Sequence, residues 1–126
     1  MIQQIQSNKA PAAVGPYSQV VIANEFVFLS GMLPLDRETE EIVGLNAAEQ
    51  TNQIMKNISG LLSELHLRLE DVVKTTIFLD SIETFQSVNE VYGSYFTTHK
   101  PARSCVEVAA IPKGALIEIE VIAIKK

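Results

Sequence analysis

The stretch from Ala115 to Ile124 constrains this chain more than any other feature, because it reads as a strand that is apolar on both faces. Strand side chains alternate, so Leu116, Glu118, Glu120, Ile122 and Ile124 share one face while Ile117, Ile119, Val121 and Ala123 share the other. Neither face is simply polar. One face calls for a layer of helices; the other, which mixes Leu and Ile with two carboxylates, calls for partial burial against another copy of the chain.

The remaining elements supply such a frame. Ile2 to Gln6, Val20 to Ala23, Phe26 to Ser30 and Val72 to Leu79 are β-rich runs. Asn24 sits in a hairpin connection, and Gly31 and Pro34 stop the third strand. Asn46 followed by Glu49 is a capping-box spacing that starts a helix, in which Thr51, Ile54, Ile58, Leu61, Leu62 and Leu65 recur at steps of three and four. Asp80 and Glu83 repeat the spacing ahead of a second helix through Phe85, Val88, Tyr92 and Phe96. Ser104 to Val108 is a short strand, and Pro112 to Gly114 a turn. The predicted order is β-β-β-α-β-α-β-β, an α+β arrangement with two helices packed on one face of the sheet.

Composition excludes several functions. With 126 residues, 47% apolar, the chain has material for one domain spanning 1–126. A formal net charge of -5 gives no basic stripe for nucleic acid or anionic lipid. The single cysteine, Cys105, forms no intrachain disulfide and, with only two histidines, no zinc cage. No apolar run approaches the roughly 18 residues of a spanning helix, and no secretory signal opens the sequence, so the expectation is a soluble cytoplasmic protein.

Candidate chemistry is sparse. Arg103 lies between Pro101-Ala102 and the apolar strand residues Cys105-Val106, and its planar fork suits a carboxylate. On spacing alone, an ion pair with Glu118 or Glu120 on a neighbouring strand is the plainer role. Glu118 and Glu120 face the same side and by themselves read as ordinary sheet-surface carboxylates. Cys105 has no histidine partner in view, which favours a packed thiol over a nucleophile. Ser30-Gly31 ends a strand where a ligand can approach the backbone, and Tyr17 follows Gly15-Pro16 out of a rigid loop. There is no phosphate loop or serine-hydrolase elbow.

Several stretches taken together resemble the Rid/YjgF family, in particular its RidA group. They are Ala10 to Gln19 (APAAVGPYSQ), Ser30-Gly31, Val73 to Phe78 (VKTTIF), Val88 to Tyr92 (VNEVY), Pro101 to Val108 (PARSCVEV) and Ile117 to Glu120 (IEIE), in family order and over nearly the whole chain. The resemblance implies a chorismate-mutase-like fold assembled as a homotrimeric barrel, with clefts between subunits. It implies hydrolysis of the imine and enamine products of pyridoxal-phosphate dehydratases, 2-iminobutanoate and 2-aminoacrylate (the enamine of 2-iminopropanoate), to 2-oxo acids and ammonia, with no cofactor and no metal. Carried over residue by residue, Arg103 binds the substrate carboxylate and Glu118 orders or deprotonates water, while Tyr17, Ser30, Gly31, Asn89 and Cys105 line the cleft. The chain departs from the usual pattern at Met32, where Gln is common, at Thr39-Glu40-Glu41, which replaces a Thr-Gly turn, and at Ala110, where Arg is frequent. Two other functions attach to the family: a non-catalytic regulator of purine or amino-acid metabolism, and an RNA-cleaving translation inhibitor. Retention of both Arg103 and Glu118 favours catalysis over sensing, and the acidic composition disfavours RNA.

Overall fold

The computed structural model describes residues 1–125. Its elements are β1 (Ile2–Ile5), β2 (Val20–Ala23), β3 (Phe26–Met32), α1 (Ala47–Glu64), β4 (Val72–Leu79), α2 (Phe85–Tyr95), β5 (Ala102–Glu107) and β6 (Ile117–Ile124). The strands form one sheet in the order β1-β2-β3-β6-β4-β5. All neighbours are antiparallel except β4 and β5, which α2 joins as a parallel crossover. The predicted element order and the helices on one face are both observed.

The core lies between that face and the helices. Val27, Leu29, Ile77, Leu79, Ile117, Ile119, Val121 and Ala123 point inward from the sheet and are buried. Ile54, Met55, Ile58, Leu61 and Leu62 of α1 and Val88 and Tyr92 of α2 meet them. The other face stays open on this chain. Phe26 and Phe28, opposite Ile124 and Ile122, are exposed, as is Val106 opposite Phe78. Glu118 is half-buried and Glu120 exposed on the same face. The two apolar faces read from β6 are therefore one covered face and one uncovered face.

Local signals held with three corrections. The Asn46 side chain accepts the Glu49 N–H (2.8 Å), but the Glu49 carboxylate accepts from Leu45 N–H (2.8 Å), one residue before the cap. Asp80 does not cap α2: Ser81 accepts the Glu83 N–H at the head of a short 3-10 turn, Ile82–Thr84, and α2 starts after it without a side-chain cap. Gly31 does not end β3, which continues to Met32, but the pairing with β6 is irregular between Leu29 and Met32. That irregularity falls on Ser30-Gly31 and shapes the site.

Candidate functional site

The residues singled out by sequence fall into two groups on opposite faces of the sheet. β4 runs between β5 and β6, with Arg103 opposite Thr75 and Glu118 opposite Phe78. Thr75 is buried on the helix side, whereas Phe78 belongs to the open side. Arg103 and Glu118 therefore point away from each other within one chain. The ion pair expected on spacing is not formed, because a strand's two faces cannot exchange such a bond.

The first group is built on β5 and α2. Arg103 leaves the edge strand toward α2, where its Nη1 donates to Asn89 Oδ1 at 2.6 Å. Its guanidinium carbon lies 5.5 Å from the Phe85 ring centroid and 5.2 Å from that of Tyr92. Asn89, Tyr92, Lys100, Pro101 and Arg103 line an open cavity of about 460 Å³. Cys105 follows on the same side of β5, half-buried. Burial pushes its thiol up, with the Arg103 charge pulling weakly the other way, so the sulfur is held as a thiol and is a poor nucleophile.

The second group lies beneath the loop that precedes β2. Tyr17, Ser30, Gly31, Glu118, Glu120 and Lys113 share a cavity of about 570 Å³. Ser30 is fixed from both ends: its hydroxyl donates to the Ser18 carbonyl (2.6 Å) and its N–H to the Gln19 carbonyl (3.0 Å). Glu118 packs onto bare Gly31 backbone, since a Cβ at Gly31 would lie 2.7 Å from the Glu118 carboxylate oxygen. That close approach is the reason for glycine here. Burial first, and the Glu120 charge second, raise the Glu118 carboxyl above its ordinary value. Such a group takes up and releases a proton more readily near neutrality than a surface glutamate does.

Sequence reasoning missed four contributors. Phe85 and Tyr92 read only as apolar periodicity, although their spacing of four and three from Asn89 puts all three on one helix face. Gln19, buried, accepts from Ser7 N–H (2.5 Å) and donates to the Pro11 carbonyl (2.5 Å), which fastens the loop carrying Tyr17. Lys113, at φ 62°, donates to the Glu40 carbonyl (2.8 Å) and ties two rims of the second cavity together. A glutamine or lysine in isolation carries no sequence signal for such a role. The histidines lie elsewhere: His66 follows Leu65, the C-cap of α1, in left-handed conformation, and His99 bonds the Val72 carbonyl (2.6 Å). Among the described residues no cluster suited to a metal is present.

Comparison with known proteins agrees with this fold. A family model described as Endoribonuclease L-PSP matches residues 7–125. A RutC family protein of Pyrococcus abyssi is 46% identical over 122 residues, covering 97% of this chain and 96% of that protein. Reactive Intermediate Deaminase A, chloroplastic, of Arabidopsis thaliana is 48% identical over 119 residues, 94% of this chain and 64% of that protein. Among solved structures, Escherichia coli TdcF with bound serine superposes with a TM-score of 0.91 at 35% identity, covering 98% of this chain and 99% of that one.

Proposed function

Because the chain belongs to the Rid/YjgF family, we propose that it is an imine and enamine deaminase, hydrolysing 2-iminobutanoate and 2-iminopropanoate to 2-oxo acids and ammonia. The observation that carries this reading is the pair of half-sites: a guanidinium oriented by Asn89 at Arg103 and a half-buried carboxyl at Glu118 whose pKa is raised by burial, each in its own open cavity, which suit a carboxylate clamp and a proton-transfer group. Neither half alone performs the reaction. Packing of the uncovered sheet face against the edge of another copy, as a homotrimer, supplies Arg103 from one subunit and Glu118 from the next.

In such a cleft Arg103 grips the substrate carboxylate through its remaining donors, the Asn89 bond having fixed the orientation of the fork. An enamine first shifts a proton from nitrogen to C3 and becomes the imine. Glu118 then takes a proton from water as the oxygen bonds to C2. That proton passes to the nitrogen and leaves a carbinolamine; the hydroxyl proton then moves through Glu118 to the amino nitrogen as the C–N bond breaks, so NH3 departs and C2–O becomes a carbonyl. Imine hydrolysis is intrinsically easy, so placement of water and charge suffices and no cofactor is required. The A. thaliana relative named as a deaminase supports this chemistry, and the serine bound to TdcF supports a substrate of that size.

Phosphodiester cleavage is disfavoured by this site, since the net charge is -5 and neither His66 nor His99 lines either cavity. The test couples a threonine or serine dehydratase to the protein and follows keto-acid release. The wild type is expected to accelerate release and Arg103→Ala is not. Equal rates with both proteins would overturn the assignment and leave carboxylate sensing as the better reading.

A further inference from the structure

The guanidinium of Arg103 belongs to an exposed residue on an edge strand, where a long side chain ordinarily samples many rotamers. Here it is confined on three sides. Phe85, Asn89 and Tyr92 follow one another at steps of four and three along the same face of α2. The two rings lie 5.5 Å and 5.2 Å from the guanidinium carbon, within the range of cation–π attraction, and Asn89 holds one nitrogen between them. Tyr92 is itself immobilised: its hydroxyl shares a buried 2.7 Å hydrogen bond with Thr75, and its ring packs on Phe96 at 4.9 Å. Burial pushes the Tyr92 phenol up, so it stays neutral and its ring keeps its affinity for a cation.

We propose that Phe85 and Tyr92 are positioning residues that cradle the Arg103 guanidinium and thereby set the affinity of the site for the substrate carboxylate. A fork confined before the substrate arrives loses less freedom on binding, and that saving appears in affinity rather than in the chemical step. The choice of substrate rests on the deaminase reading; the cradle itself does not.

Three measurements test this on Phe85→Leu, Tyr92→Leu and Tyr92→Phe, each first shown to be folded by its melting transition. In the coupled assay Phe85→Leu is expected to raise KM by about threefold to tenfold with kcat within about twofold of wild type. Tyr92→Phe, which keeps the ring, is expected to raise KM less than Tyr92→Leu. Titration with 2-oxobutanoate by calorimetry is expected to show the same order of weakening. Finally, the Arg103 Nε–H resonance, identified by its loss in Arg103→Ala, is expected upfield of those of Arg37 and Arg68 in the wild type and to move toward them in Phe85→Leu.

A folded Phe85→Leu protein with unchanged KM and unchanged 2-oxobutanoate affinity overturns the proposal, even if the resonance moves. So does a loss confined to kcat. If the wild type fails to accelerate keto-acid release yet binds 2-oxobutanoate through Arg103 and loses affinity on Phe85→Leu, the deaminase reading fails and the cradle stands. If no Arg103-dependent carboxylate binding is found in the wild type, both fail.

Discussion

Glu118 carries two pressures in one direction: burial and the neighbouring Glu120 both favour its neutral form. If the ionised carboxylate is the base, kcat/KM falls as pH drops through this raised value, so the acid limb lies above the ordinary glutamate value of about 4.3. Glu120→Gln removes the second pressure and is expected to move that limb to lower pH, read from a pH–rate profile. The sign for stability follows from the same shift. A carboxyl whose folded value is raised stabilises the fold below its unfolded value, and this contribution is lost as pH rises through the folded value. Glu118→Gln is therefore expected to melt at a higher temperature than the wild type at neutral pH, with the difference vanishing in acid. Gly31→Ala separates activity from stability in another way. Its Cβ would overlap the flexible end of Glu118, which can swing away at little cost to the fold. The expected result is a loss of kcat of about tenfold to a hundredfold, since a misplaced base costs rate steeply, with a nearly unchanged melting temperature.

Among the elements, α1 is the best specified by its own residues. Asn46 accepts the Glu49 N–H and satisfies one of the orphan donors of the first turn. Asn46→Ala is expected to cost about 1 kcal/mol, measured by urea unfolding. The apolar steps from Thr51 to Leu62 were legible because one helix face is buried over its whole length. α2 was harder to read at its start. Asp80 and Glu83 have the spacing of a cap, but the Asp80 N–H is taken by the Leu116 carbonyl (3.1 Å), and Ser81 heads the intervening turn instead. A tertiary hydrogen bond outweighed a local motif. β3 ran past Gly31 for a similar reason: Met32 pairs with Ile119 across an irregular register that local composition does not encode.

For the whole molecule, the separation of Arg103 from Glu118 makes a sharp prediction. If the cleft draws one residue from each of two subunits, Arg103→Ala and Glu118→Gln are each inactive alone. Refolded together in equal amounts, they are expected to restore about a quarter of wild-type activity, because that share of randomly mixed interfaces pairs an intact Arg103 with an intact Glu118. No recovery on mixing would mean that each subunit works by itself, against the present geometry. Sedimentation velocity of the wild type provides the companion measurement, with a trimer expected.

The sequence by itself determined the strand and helix order, the two apolar faces of β6 and the residue types capable of gripping a carboxylate and moving a proton, because these depend on side-chain period and on intrinsic chemistry. Only the tertiary structure decided that Arg103 and Glu118 face opposite ways, that Phe85 and Tyr92 hold the guanidinium, and that Gly31 is bare so that Glu118 can lie against it. Those facts depend on which strands become neighbours and in what register. Shifting a strand by one residue exchanges its faces, and the length and order of the chain do not fix that choice until the sheet has closed around its core.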